Sequence, residues 1–303
     1  MASGKGSPTR AIFYAFGANL GIAVAKTVAA VMTGSSSMLA ESLHSYADTG
    51  NQLLLLLGLH RSKRAPDAEH PLGYGKATYF WSFIVAILLF SVGGLFSLYE
   101  GWHKMNEPET LSQVWVALLV LGLSIVLEAF SMYGCLVEVN KVRGDRTLWQ
   151  WLKESRGSEL IVVFGEDLAA LLGLVVAFVF LLIASWTGDT RFDAGGSLCI
   201  GVLLIAIALF LSLRIKALLI GRSADPELTA AIEAQIDDDA DIEEVFNVIT
   251  LQMGPKVMLA AKIRLRGAIP VKSACTKINE LEVALKERFP EIAWCFIEPD
   301  LRK

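Results

Sequence analysis

Cysteine, histidine and charge are all scarce in this chain. Of its 303 residues four are cysteine (Cys135, Cys199, Cys275, Cys295), and no two of them form a CxxC pair. That spacing excludes a disulfide framework and a thiolate zinc site. Charged residues make up 19% of the chain, fewer than the roughly 25% of soluble domains. The net charge of -4 argues against a nucleic-acid partner. No HExxH zinc-hydrolase motif and no GxSxG nucleophile elbow occurs. We therefore expect no enzyme, no catalytic residue and no permanently bound cofactor. A cleavable leader is also missing: Met1 to Arg10 is small and polar, and the apolar stretch behind it is too long for a signal-peptide core.

What the chain has instead is apolar length. It is 54% hydrophobic, with a mean hydropathy of +0.51. Six blocks reach the ~20 residues that cross a bilayer. They are Ala11–Met32, Met38–Leu59, Tyr79–Trp102, Val114–Val137, Leu160–Trp186 and Ala194–Arg214. Period-2 alternation is absent from them, so lipid requires helices. Lys and Arg set the orientation. Arg61, Lys63, Arg64 and Lys76 lie between spans two and three; Lys141, Arg143, Arg146, Lys153 and Arg156 lie between four and five; Arg214, Lys216 and Arg222 follow span six. The other side offers only Lys104 and Arg191. The positive-inside rule then puts both termini in the cytoplasm. Short tails and no targeting peptide suggest a prokaryotic inner membrane.

From Gly221 the composition changes. Pro226–Ile236 reads as a helix begun by Asp225, with Pro226 at its first position. Val245–Met253 and Val257–Arg266 read as strands around a Gly254–Pro255 turn. Lys272–Phe289 has helical periodicity, and Ala293–Ile297 closes as a strand. The expected fold is a multi-pass α-helical membrane protein with six transmembrane helices and a small α+β (αββαβ, ferredoxin-like or metallochaperone-like) cytoplasmic domain. Its domains are a tail (1–10), a transport domain (11–214) and the C-terminal domain (215–303).

Span two holds the informative stretch. His44 and Asp48 are one helical turn apart on one face; Glu41 precedes His44 by three residues and Asn51 follows Asp48 by three. Ionisable groups in hydrocarbon cost several kcal/mol unless they meet a partner or a water-filled cavity. A cation supplies that partner. Imidazole with carboxylate suits Zn²⁺, and also Mn²⁺, Fe²⁺ or Co²⁺. One helix cannot close the shell, so a second must contribute. Span five carries Glu166 and Asp167 among apolar residues. Asp167 is the candidate third ligand. Glu166, about 100° away around the helix, is a fourth ligand reached by side-chain length or an ionisable group with another role. The bland reading of any one such residue is a helix cap or a cavity-facing polar group; the in-phase set on one span weighs against it. Glu41 and Glu128 are candidate proton-relay groups, and Lys26 in span one snorkels or pairs with an acid.

These features resemble the cation diffusion facilitator family over nearly the whole chain. His70-Pro71-Leu72-Gly73-Tyr74-Gly75-Lys76 resembles that family's HPxGxGR-type segment. Asp193 with Gly195-Gly196-Ser197, Leu218-Leu219-Ile220-Gly221 and Ile297-Glu298-Pro299 are similar to its other landmarks. The resemblance implies a homodimeric antiporter that exports a divalent metal from the cytoplasm in exchange for protons, Zn²⁺ first. It implies His44, Asp48 and Asp167 as three of four transport-site ligands. The fourth position is Val163, which cannot bind metal. That departure resembles the branch of the animal mitochondrial zinc exporter. It leaves Asn51, Glu166, Glu41 or water to complete the shell, and an amide oxygen there admits Mn²⁺ or Co²⁺. A non-transporting scaffold or sensor with the same fold is the rival reading. All four histidines (His44, His60, His70, His103) precede the C-terminal domain, and Phe296 stands where relatives often have histidine. No strong regulatory metal site is expected there, only weak binding at Glu298, Asp300 and Cys295.

Overall fold

A computed structural model describes residues 8–107 and 111–302, with side chains from Asn19 onward. Most of the expected N-terminal tail (residues 1–7) lies outside the described residues. Helices α1 (Pro8–Thr33) and α2 (Ser36–Ser62) come first. Next is one long helical run: α3 (Ala77–Leu88), a π-helical segment (Leu89–Leu95) and α4 (Phe96–Asn106). Then follow α5 (Val114–Arg143), a short α6 (Leu148–Glu154), α7 (Ser158–Thr187) and α8 (Arg191–Ile220). The C-terminal part is α9 (Pro226–Asp237), β1 (Ile242–Met253), β2 (Lys256–Leu265), α10 (Val271–Arg288) and β3 (Ile292–Pro299).

Among the described residues four helical stretches are long and apolar enough to cross a membrane: Ala77–Asn106, Val114–Arg143, Ser158–Thr187 and Arg191–Ile220. The described apolar part of α1, Asn19–Thr33, is shorter. α2 is long, but its polar column lowers its apolarity. The chain is thus a multi-pass helical membrane protein. Two features escaped the periodicity. α6 lies in what reads as a basic loop, and the π-helical segment interrupts span three. A single-turn widening of this kind is frequent at functional sites.

Backbone proximity divides the chain into two compact units. The first holds α1, α2 as far as Leu57, Trp81–Thr147 and Glu159–Arg214. The second holds Gly58–Phe80, Leu148–Ser158 and the chain from Ile215 on. Stretches 58–80 and 148–158, grouped by sequence with the transport domain, therefore cluster with the C-terminal part.

In the first unit the helices turn apolar strips outward. Val24, Val28 and Val31 on α1, and Leu119, Leu123, Val126 and Phe130 on α5, are exposed at spacings of three or four residues. Lys26, Glu41, His44 and Asn51 are buried. This inverts the pattern of a soluble helix and suits lipid as solvent. The turn between α1 and α2 is closed by distant donors. Ser112 Oγ donates to Met32 O (2.6 Å), Ser112 N to Thr33 O (2.9 Å) and Lys104 Nζ to Gly34 O (2.8 Å). These satisfy carbonyls that a helix end leaves open.

In the second unit a three-stranded sheet has the order β1-β2-β3. β1 and β2 pair antiparallel, β2 and β3 parallel. The hairpin loop is Gly254-Pro255, with Gly254 at φ 70°, a conformation that glycine adopts without strain. Ile232 and Ile236 of α9, with Leu281, Leu285 and Phe289 of α10, sit one turn apart and cover one sheet face. Leu259, Ala261 and Ile263 alternate inward from β2 to meet them. Asp225 caps α9 by accepting from Glu227 N at 3.1 Å.

The His70–Lys76 segment is structural in the same unit. Asp67 accepts from the backbone N–H of Glu69 (3.1 Å) and His70 (2.8 Å) and from the Tyr74 hydroxyl (2.6 Å). These bonds hold its carboxyl below the ordinary value of 3.8. Tyr79 Oη then donates to Gly254 O (3.2 Å) and accepts from Gly254 N (3.0 Å). A side chain on Gly75 would overlap the backbone of Met253, so this loop lies directly on the β1–β2 hairpin.

Candidate metal centre

α2 is set in place from its first turn. Asp193, buried at the start of α8, accepts from Ser36 N (2.6 Å) and Ser36 Oγ (3.0 Å) through one oxygen and from Ser35 Oγ (2.7 Å) through the other. Ser37 Oγ donates to Asp193 O at 2.7 Å. A carboxylate on the open N–H groups of a helix start is favourable on both hydrogen-bond and dipole grounds. The sequence pattern pointed to Asp193 only as the opening of span six. Its role in orienting α2 depends on a pairing 157 residues apart, which no local signal reveals.

Along α2 the expected column is present. His44 is fully buried, and its Nδ1 lies 3.5 Å from Asp48 Oδ1. Gly93, inside the π-helical segment, faces it: a methyl there would come 3.9 Å from His44 Nδ1. One turn further, Asn51 Nδ2 donates to Glu166 Oε1 of α7 at 2.6 Å. At the other end Glu41 Oε2 lies 3.4 Å from Lys26 Nζ of α1. Glu41 also fills the space beside Gly173 of α7, where a side chain would overlap it.

The two acids of α7 diverge. Glu166 is buried against Asn51, whereas Asp167 is half-buried and accepts from Ser131 Oγ of α5 at 3.3 Å. Their adjacency on a helix makes this separation obligatory. Glu128 joins Asp48, Ser45, Asn19 and Ile22 around a cleft of about 220 Å³. Val163 is half-buried and contributes no ligand atom. Among the described residues no three His, Cys, Asp or Glu side chains are gathered closely enough to hold an ion. The structure brings together His44 with Asp48, Asn51 with Glu166, and Asp48 with Glu128. It does not bring Asp167 onto the α2 column.

The unsatisfied atoms reveal the chemistry. Glu41 Oε1, both imidazole nitrogens of His44, Asp48 Oδ1 and Asn51 Oδ1 are all buried without a hydrogen-bond partner. Buried polar atoms are ordinarily paired. Leaving several on one helix is costly unless a visiting group satisfies them. The donor set is one imidazole with carboxylate and amide oxygens, which suits a divalent transition metal.

In the C-terminal part the candidate ligands are otherwise engaged. Asp300 is paired with Lys262 at 2.5 Å. Burial pushes the Cys295 thiol up to about 11, which leaves it protonated and a poor ligand.

Comparison with known proteins agrees with this geometry. A family model described as the cation efflux transmembrane domain matches residues 12–219. Among curated proteins, the proton-coupled zinc antiporter SLC30A9, mitochondrial, of Xenopus laevis is 34% identical over 265 residues, covering 86% of this chain and 47% of its own length. The human protein of the same name is 31% identical over 258 residues, covering 83% of this chain and 45% of its own length. The cation-efflux pump FieF of Pectobacterium atrosepticum is 28% identical over 263 residues, covering 85% of this chain and 81% of its own length. The chain thus spans about half the length of the SLC30A9 relatives. With the family model matched across its helices and a buried column of cation ligands inside them, this chain belongs to the cation efflux family, the cation diffusion facilitators.

Proposed function

We propose that this protein is a Zn²⁺/H⁺ antiporter that moves the ion through its helical unit by alternating access, with six spans and both termini on the cytoplasmic side. The observation that carries this reading is the set of unpartnered ligand atoms on α2. In the conformation described, His44, Asp48 and Asn51 Oδ1 line one side of the ion's place and Glu166 the other. Asp167, about 100° around α7, exchanges with Glu166 when that helix turns in the opposite access state. The ligands bind metal only after losing their protons, so protons returning from the far side displace it. Glu128 and Ser45 line the cleft beside Asp48 and offer those protons a path. The names of the SLC30A9 relatives, proton-coupled zinc antiporters, support the same substrate and coupling.

The excess of Lys and Arg in the connections after spans two, four and six supports the cytoplasmic placement. The uncovered sheet face supports a homodimer: Ile249, Ala260 and Phe296 lie in register across the three strands, with Ile249 and Phe296 exposed. Mn²⁺ or Co²⁺ is the second substrate reading, favoured by the oxygen-rich pair Asn51 and Glu166. The deciding experiment is uptake of Zn²⁺, Mn²⁺, Co²⁺ and Fe²⁺ by proteoliposomes with internal pH followed in parallel. Zn²⁺ uptake coupled to counterflow of protons is expected. Absence of flux for every ion, with the metal still bound, would instead leave a sensor or scaffold.

A further inference from the structure

Lys26 is fully buried in the middle of an apolar helix. An ammonium taken from water is costly unless it is paired. Its partners are both on α2: Glu41 Oε2 at 3.4 Å and Ser45 Oγ at 2.7 Å. The other Glu41 oxygen, Oε1, is buried and has no hydrogen-bond partner. Ser45 also lines the cleft that reaches Asp48 and Glu128, together with Asn19 and Ile22 of α1. Asn19, Ile22 and Lys26 follow one another at helical spacing, so one face of α1 lies along the ligand column of α2. Lys26 thus sits at the end of that column with a fixed positive charge, on a carboxylate that would otherwise be available to the ion.

We propose that Lys26 is a specificity-determining residue: its tethered ammonium occupies the Glu41 end of the column as a resident cation, withholds that carboxylate from the metal, and confines the ion to the level of His44, Asp48 and Asn51. The inference rests on the metal-transport reading. Its chemical consequence concerns ligand hardness. A site with imidazole and few carboxylates favours Zn²⁺, whereas each added carboxylate shifts preference towards harder ions such as Mn²⁺. Freeing Glu41 adds one such ligand.

The test is calorimetric Zn²⁺ binding to the purified full chain in detergent, with Mn²⁺ as competitor. In Lys26→Gln, Mn²⁺ should compete at least about tenfold better than in the wild type, the size of effect expected for one partner at a metal site. In the charge-free pair Lys26→Gln/Glu41→Gln, Zn²⁺ affinity and Mn²⁺ competition should stay within about threefold of the wild type. Unchanged competition in a folded Lys26→Gln protein would overturn the proposal. So would a loss of about tenfold or more in Zn²⁺ affinity in the pair variant, because Glu41 would then be a ligand. The pair variant leaves no lone buried charge, so it decides the matter even where Lys26→Gln fails to fold. A wild-type protein that binds no Zn²⁺ overturns the transport reading and this proposal together; wild-type binding with unaltered competition in the folded variant overturns this proposal alone.

Discussion

Replacing Glu166 by Gln removes a charge while keeping the shape of the side chain and its ability to accept from Asn51 Nδ2. The bond it keeps is the 2.6 Å contact between α2 and α7, so the helix pair should stay assembled. An ion bound at Asn51 Oδ1 lies about 4–5 Å from the Glu166 carboxylate, and a +2 charge there gains about 7 kcal/mol of gross attraction at an effective dielectric near 20. Desolvation of both partners offsets most of that gain. The net loss should be that of one metal-site partner, about 10–100-fold in affinity or ~1.4–2.7 kcal/mol. Calorimetric titration of Zn²⁺ into the purified protein reads this directly, and proteoliposome uptake reads its consequence. Asp167→Asn should slow uptake as well, by removing the acid that faces the column in the other access state. The double variant should show neither binding nor uptake. If Glu166→Gln binds and transports as the wild type does while Asp167→Asn binds no metal, Glu166 is not a ligand and the reasoning from this conformation fails.

Other consequences follow from the same contacts. Asp193→Ala removes the acceptor of three bonds from the first turn of α2; it should cost about 2–4 kcal/mol, read as a lower unfolding midpoint in detergent together with weaker Zn²⁺ binding. Leu259→Ala, in the centre of the C-terminal core, should cost about 2–5 kcal/mol, measured as earlier unfolding of that part by hydrogen exchange. Asp67 has its carboxyl held down by the Tyr74 hydroxyl and by backbone N–H groups. Its contribution to the 63–76 loop is therefore fully present above the ordinary value of 3.8 and is lost as pH falls through the lower folded value. Amide exchange in that loop should stay slow down to about pH 4 and rise below it, and Tyr74→Phe should move the rise to higher pH.

Much of this structure is written locally. The helices extend the apolar blocks, and the spacing from Glu41 to Asn51 already puts ligands on one face of α2, because helical period alone fixes that face. The C-terminal elements also follow from local signals: Pro226 at a helix start, Gly254-Pro255 in a tight turn, alternation along β2. What was hidden depends on partners distant in sequence. Nothing near Asp193 indicates that it holds the start of α2, and nothing near Lys26 selects Glu41 over lipid headgroups. The choice between Glu166 and Asp167 was visible only as an angle around α7; which of them meets α2 is set by how α7 packs. The π-helical segment was illegible for the same reason. Leu89–Leu95 reads as ordinary apolar helix, and its widening places Gly93 opposite His44.

The central claim is that an ion is held within the bundle by imidazole and oxygen ligands of α2. X-ray absorption at the zinc edge of the loaded protein tests it most directly, on the wild type and on His44→Ala. The account predicts nitrogen and oxygen ligands at about 2.0–2.2 Å, one imidazole and no sulfur, with the imidazole signal gone in His44→Ala. A sulfur shell near ~2.3 Å, or an imidazole signal that survives His44→Ala, would contradict it.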